Sequence, residues 1–119
     1  MAYKQIEHAH ERTTYTPPGH AGTTNERLVA DDFCGTFEML RGVVEPGGEA
    51  EPHHHDTEHQ IIYLLRGEAD VTLGEDAPVR CTAGSIVRIP PKLRHRVVNV
   101  GKEPLETIVI YSPPLTSHV

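Results

Sequence analysis

Tryptophan is absent from this 119-residue chain, and two phenylalanines and four tyrosines are its only other carbocyclic side chains. Any core it builds must therefore rest on aliphatic residues. Cysteine is almost as scarce. Cys34 and Cys81 fall in separate candidate strands without C-x-x-C spacing. They cannot form a disulfide framework and are expected to be reduced thiols of a cytoplasmic protein. No apolar run approaches the ~20 residues of a membrane span, and no signal-like apolar stretch follows Met1. No run of Lys or Arg exists, and the formal charge is −6. Nucleic acid and anionic membrane are thus not expected as partners. Helical periodicity is missing too, since no segment sustains a 3.6-residue repeat over three turns.

What the chain does have is turn formers and histidine. Ten glycines and ten prolines cut it into short pieces, and nine histidines are its compositional oddity. Its length suits one domain with one core. Residues 1–30 are polar and broken by Pro17, Pro18, Gly19 and Gly22. They read as an arm, with a short edge strand at 4–6 and a Thr-rich segment at 13–24 that is either a loop or an arm laid over a partner subunit. Residues 31–119 read as the folded barrel. Strands are expected at 28–29, 36–44, 60–65, 69–73, 78–81, 86–89, 96–98 and 105–111, with Pro46-Gly47-Gly48 and Gly74-Glu75-Asp76 as turns. Many short strands separated by turns every eight to twelve residues indicate a β-sandwich or barrel.

The chemistry is concentrated between Gly47 and Gly67. His53 and His55 are two apart on an extended segment, so their imidazoles point to one side. Asp56-Thr57 permits a reversal that would bring Gln60 to face the same interior. Ile62 and Leu64 share its parity, while Ile61, Tyr63 and Leu65 face the other way. His59 competes with Gln60 as a ligand, because imidazole is the better donor for iron, nickel or zinc. His54 points away from its neighbours. A fourth ligand is available in His95, which opens a later strand after Pro90-Pro91. The bland reading of a bare His-x-His is a polar strand edge. His8 and His10 repeat the spacing, but no core strand follows them, and a solvated arm is the expectation there.

These residues resemble the two motifs of the cupins, whose domain is a double-stranded β-helix, or jelly-roll barrel. The first motif is matched by Gly47, His53, His55, Gln60 and Gly67, and the second by Gly84, Pro90, Lys92, His95 and Asn99. The resemblance covers residues 36–114. It implies an all-β cupin barrel that binds one divalent transition metal (Mn, Fe, Ni, Co or Zn) through His53, His55, Gln60 and His95. It further implies a mononuclear metalloenzyme acting on a small oxygenated molecule, with dioxygenation first and isomerase or lyase chemistry next. The alternative is a non-catalytic, metal-dependent binding or sensor protein. A homodimer formed through the outer sheet is also implied, and the apolar outward set Ile61, Tyr63 and Leu65 gives it a local reason.

Two positions depart from the family pattern. Gln60 stands where the motif carries glutamate, so all four ligands are neutral and no carboxylate base is supplied. Lys92 replaces a glycine, at a cost of ~1 kcal/mol if its φ is positive. Glu58, Tyr63 and Arg41 are candidates for proton transfer or for the pocket and its rim. The alternative for Arg41 is a plain surface arginine.

Overall fold

The computed structural model describes residues 3–115, with the side chains of residues 51–53 outside the described part. The strands are β1 (Thr14–Tyr15), β2 (His20–Val29), β3 (Glu38–His53), β4 (His59–Arg66), β5 (Glu68–Leu73), β6 (Val79–Thr82), β7 (Ile86–Ile89), β8 (His95–Asn99) and β9 (Leu105–Ser112). Apart from one 3-10 turn at Ala9–Glu11, no helix occurs among the described residues.

β3 organises the sheet. Its first half lies between β2 and β9, with Gly42 opposite both Asn25 and Thr107. Its second half pairs with β8, where Glu49 meets Val98 and His53 meets His95. By changing neighbours partway, the strand folds one continuous sheet over itself. One layer is β2-β3-β9-β4-β7 and the other β3-β8-β5-β6, all antiparallel. This is the expected all-β jelly-roll barrel.

Alternation explains which side chains fill it. Along β4, positions 60, 62 and 64 are buried and 59, 61, 63 and 65 are exposed. Along β9, Leu105, Thr107, Val109 and Tyr111 are buried. Period-2 patterning of this kind buries one face of a strand and leaves the other to solvent or a partner. The core is aliphatic, centred on Leu40, Leu64, Leu105, Val71 and Ile89, with Tyr111 at one end. Gly67 lets the chain leave β4. Its φ is +98°, and a Cβ there would stand 3.0 Å from the Leu105 Cα.

Three local expectations fail. Pro46-Gly47-Gly48 is not a turn between strands; it is a bend inside β3, where β2 pairs Thr23 with Val44 and then Ala21 with Glu49. Proline and glycine mark a bulge here because β3 must bend to pass between layers. Residues 13–24 are not a loop, since they contain β1 and the first half of β2. Residues 4–6 form no strand, and Ile6 is almost fully exposed.

Candidate metal centre in the barrel

The two motif segments meet at one end of the barrel. The turn at Pro90-Pro91-Lys92 is tied to the first motif by a hydrogen bond from the Lys92 N–H to the His55 carbonyl, at 2.6 Å. Lys92 adopts a left-handed conformation to make it, with φ +72°. Three residues later His95 enters the barrel, 2% exposed. Its Nδ1 lies 2.9 Å from the Leu93 carbonyl oxygen. A carbonyl can only accept, so Nδ1 carries the proton and Nε2 the lone pair. Metal-ligating histidines are commonly oriented by such a bond.

The His55 ring lies with its centroid 5.5 Å from that of His95 and 5.2 Å from that of Tyr111, the latter edge-on. Gln60 is buried, with Tyr111 opposite it on β9 and Ile89 opposite it on β7. Its Oε1 is inaccessible to solvent and has no hydrogen-bond partner among the described residues. An unpaired buried amide oxygen costs ~1–3 kcal/mol, so its presence points to a ligand it was built to meet.

The donor set fits a divalent transition metal. Two imidazoles sharing one ion at ~2.1 Å have ring centroids ~4.5–5.5 Å apart, which matches His55 and His95. The Gln60 amide oxygen, in the same cavity lining as His95, is a suitable hard-to-borderline donor. The His53 backbone pairs with that of His95, but its side chain lies outside the described residues. Among those that are described, no group of three His, Cys, Asp or Glu side chains gathers; the His55 and His95 rings are neighbours, and Gln60 shares the cavity lining with His95.

The remaining sequence candidates lie elsewhere. His59 is exposed. His54 is half-exposed, with Nε2 3.3 Å from Asp56 Oδ1. His8 and His10 stack on each other in solvent. Arg41 is not at the pocket: it points outward and pairs with Glu26, at 3.0 Å, and with Glu106. Those two carboxylates raise its pKa. Tyr63 is likewise outside the cavity, on the outer face, because odd positions of β4 face away from the barrel. Glu58 does not line the cavity; its Oε2 accepts from Thr57 Oγ1 at 2.8 Å.

Several cavity residues escaped the sequence reading. The interior cavity has a volume of about 60 Å³, and His20, Thr23, Asn25, Thr107 and Tyr111 line it together with Gln60 and His95. Among the described residues the remaining lining is glycine or aliphatic, with no Asp, Glu, Lys or Arg. Burial pushes the Tyr111 phenol well above its ordinary pKa, with Tyr15, Glu38 and Glu58 adding to the effect, so it stays neutral. Tyr111 shares the parity of Leu105 and Val109, a signal that could have placed it inside. β2 gives no such signal. Asn99 of the second motif does not reach the cavity. Its Nδ2 donates to the Val44 and Glu103 carbonyls, at 2.8 and 2.9 Å, and its Oδ1 accepts from the Gly101 N–H at 2.9 Å.

Known proteins resemble the chain on both counts. It is 30% identical over 90 residues to an uncharacterised protein of Methanocaldococcus jannaschii, covering 75% of this chain and 71% of that one. It is 38% identical over 83 residues to the xanthan biosynthesis protein XanB of Xanthomonas campestris pv. campestris, covering 68% of this chain but only 17% of XanB. Its fold matches that of a predicted oxalate decarboxylase from Thermotoga maritima with a TM-score of 0.81 at 21% identity, over 92% of this chain and 99% of that one. The family model for the cupin domain matches residues 40–111, and the chain belongs to the cupin family.

Proposed function

We propose that this cupin holds one divalent transition metal through His53, His55, Gln60 and His95, and acts on a small oxygenated organic molecule in the barrel cavity. The observation that carries the reading is the Gln60 Oε1, buried and without a hydrogen-bond partner among the described residues, on a side chain that lines one cavity with His95. A metal held there supplies Lewis acidity and, if it is iron or nickel, dioxygen chemistry. Dioxygenation is the first reaction to test. The chain's own residues do the rest. His95 is fixed in one tautomer by Leu93. The aliphatic wall of Val44, Ile62, Val97 and Leu105 excludes water. Tyr111 is a neutral phenol beside His55, able to donate a hydrogen bond.

The test is metal reconstitution followed by oxygen uptake. Iron-, manganese- and nickel-loaded samples are screened against catechols, 1,3-dicarbonyls and flavonols. Turnover that disappears in His95→Ala supports the enzyme. The second reading, a metal-dependent sensor, draws support from the lack of a carboxylate base among the described residues of the cavity lining; tight binding of a small molecule without turnover selects it.

We also propose a homodimer. Ile61, Tyr63, Leu65 and Ile86 are each 41–52% exposed on the outer face. The register sets Met39, Ile110 and Ile61 in one row, and Ile108, Tyr63 and Ile86 in the next. Arg88 closes the first row and Arg41 the second, on opposite edges, and the apolar patch between them favours association with a second copy. Light scattering should give twice the chain mass, falling to one chain mass in Tyr63→Glu; a monomeric wild type contradicts it. A cytoplasmic location accords with two free cysteines. No helix among the described residues is long and apolar enough to cross a membrane.

A further inference from the structure

β2 is a strand whose inner face is polar where a core strand should be apolar. Thr23 and Asn25 are its buried inner positions, 4% and 8% exposed. Thr23 Oγ1 is inaccessible to solvent and has no hydrogen-bond partner among the described residues. Asn25 is hydrogen-bonded to Tyr15, yet its Oδ1 leans over Gly42. A Cβ built on Gly42 would stand 3.1 Å from that atom and 2.8 Å from Thr107 Oγ1. Thr107 Oγ1 has only a long contact, 3.5 Å, to the Gly42 carbonyl. Gly42, lacking a Cβ, therefore lets the oxygens of Asn25 and Thr107 close over its backbone, at the wall of the same cavity that Thr23, Gln60 and His95 line.

We propose that Thr23, with Asn25 and Thr107 beside it on the cavity wall, forms a hydroxyl-recognition subsite that selects the ligand of the barrel. This rests on the cavity being the ligand site, and it names the ligand class. Thr23, Asn25 and Thr107 are neutral donors and acceptors, and no Lys or Arg lines the cavity among the described residues, so a carboxylate or phosphate at that end would lack a fixed cationic partner, and burying it would be costly. A hydroxyl or carbonyl oxygen satisfies it. The ligand is a small molecule with one oxygenated end toward Gln60 and His95 and a neutral hydroxyl toward β2. A site built to hydrogen-bond a hydroxyl rejects the analogue lacking it far more strongly than an apolar wall discriminates size.

The test compares acetoin with butanone, the same carbon skeleton without the hydroxyl. Each is titrated into metal-free and zinc-loaded protein and followed by nitrogen-edited NMR shifts, with metal content measured separately by mass spectrometry. The wild type is expected to prefer acetoin by about tenfold. Thr23→Val, which keeps the shape and loses the oxygen, should bring that preference below about threefold while leaving butanone binding unchanged. Thr23→Ser should retain it. The Thr23→Val melting temperature should equal or exceed that of wild type, since an unpaired buried hydroxyl is removed. A wild type that binds neither probe, or shows no preference, overturns the proposal. So does a Thr23→Val variant that keeps the preference. Loss of metal binding alone sinks the metalloprotein reading but leaves the hydroxyl preference of the metal-free protein to be judged by itself.

Discussion

Two buried amides, one from each motif, do opposite things. Asn99 spends its side chain on three backbone groups of β3 and the loop after β8. Gln60 places a carbonyl oxygen in the barrel with no partner among the described residues. Both are nearly inaccessible to solvent. A fully paired buried amide stitches strands together and adds to stability; an unpaired one subtracts from it and persists where a ligand completes it. The same contrast separates the motif residues at large: Gly67 and Asn99 shape the scaffold, and His95 and Gln60 face the cavity.

The contrast is broken or sharpened by substitution. The largest effect is expected for Asn99→Leu, which strands the Gly101 N–H and the Val44 and Glu103 carbonyls. It should cost about 3 kcal/mol in urea denaturation, and a loss below about 1 kcal/mol would mean that Asn99 is not the tie described. Gly67→Ala forces a methyl toward the Leu105 backbone at a positive φ. About 2 kcal/mol should be lost, as read from the midpoint of the same transition. Gln60→Leu should instead leave the metal-free protein as stable or gain about 1 kcal/mol, the reverse of Asn99→Leu. Equal destabilisation by the two would erase the distinction. The smallest effect belongs to Lys92→Gly, which relieves the left-handed backbone at φ +72°. It should raise stability by about 0.5–1 kcal/mol, a melting shift of a few degrees.

How much of this the sequence revealed depended on which face of a strand carries the signal. β4, β7 and β9 were legible because they are short runs rich in β-branched and aliphatic residues bounded by glycine and proline. Parity along β4 separates inward Gln60 from outward His59. β2 was illegible because its inward positions, Thr23 and Asn25, are polar, so a strand that lines the cavity looks like a loop. Pro46 and Gly47 concealed the middle of β3, where the chain bends between layers and keeps its pairing on both sides. The outward parity of Tyr63 was legible in β4, and register sets Arg41 on the outer face with it, as a surface arginine paired with Glu26 and Glu106. The approach of Tyr111 to His55, and of Thr107 to Gly42, comes from pairing between strands more than fifty residues apart, which no local pattern encodes.

The central claim is that Gln60 and His95 face the cavity to hold a metal rather than to support the fold. Metal content per chain, measured by mass spectrometry after identical loading and dialysis, tests it most directly in wild type, Gln60→Leu, His95→Ala and Tyr63→Glu. The account predicts close to one divalent ion per chain in wild type and Tyr63→Glu, and a loss of at least about tenfold in affinity for the other two. No metal in the loaded wild type, or equal metal in all four, would contradict it.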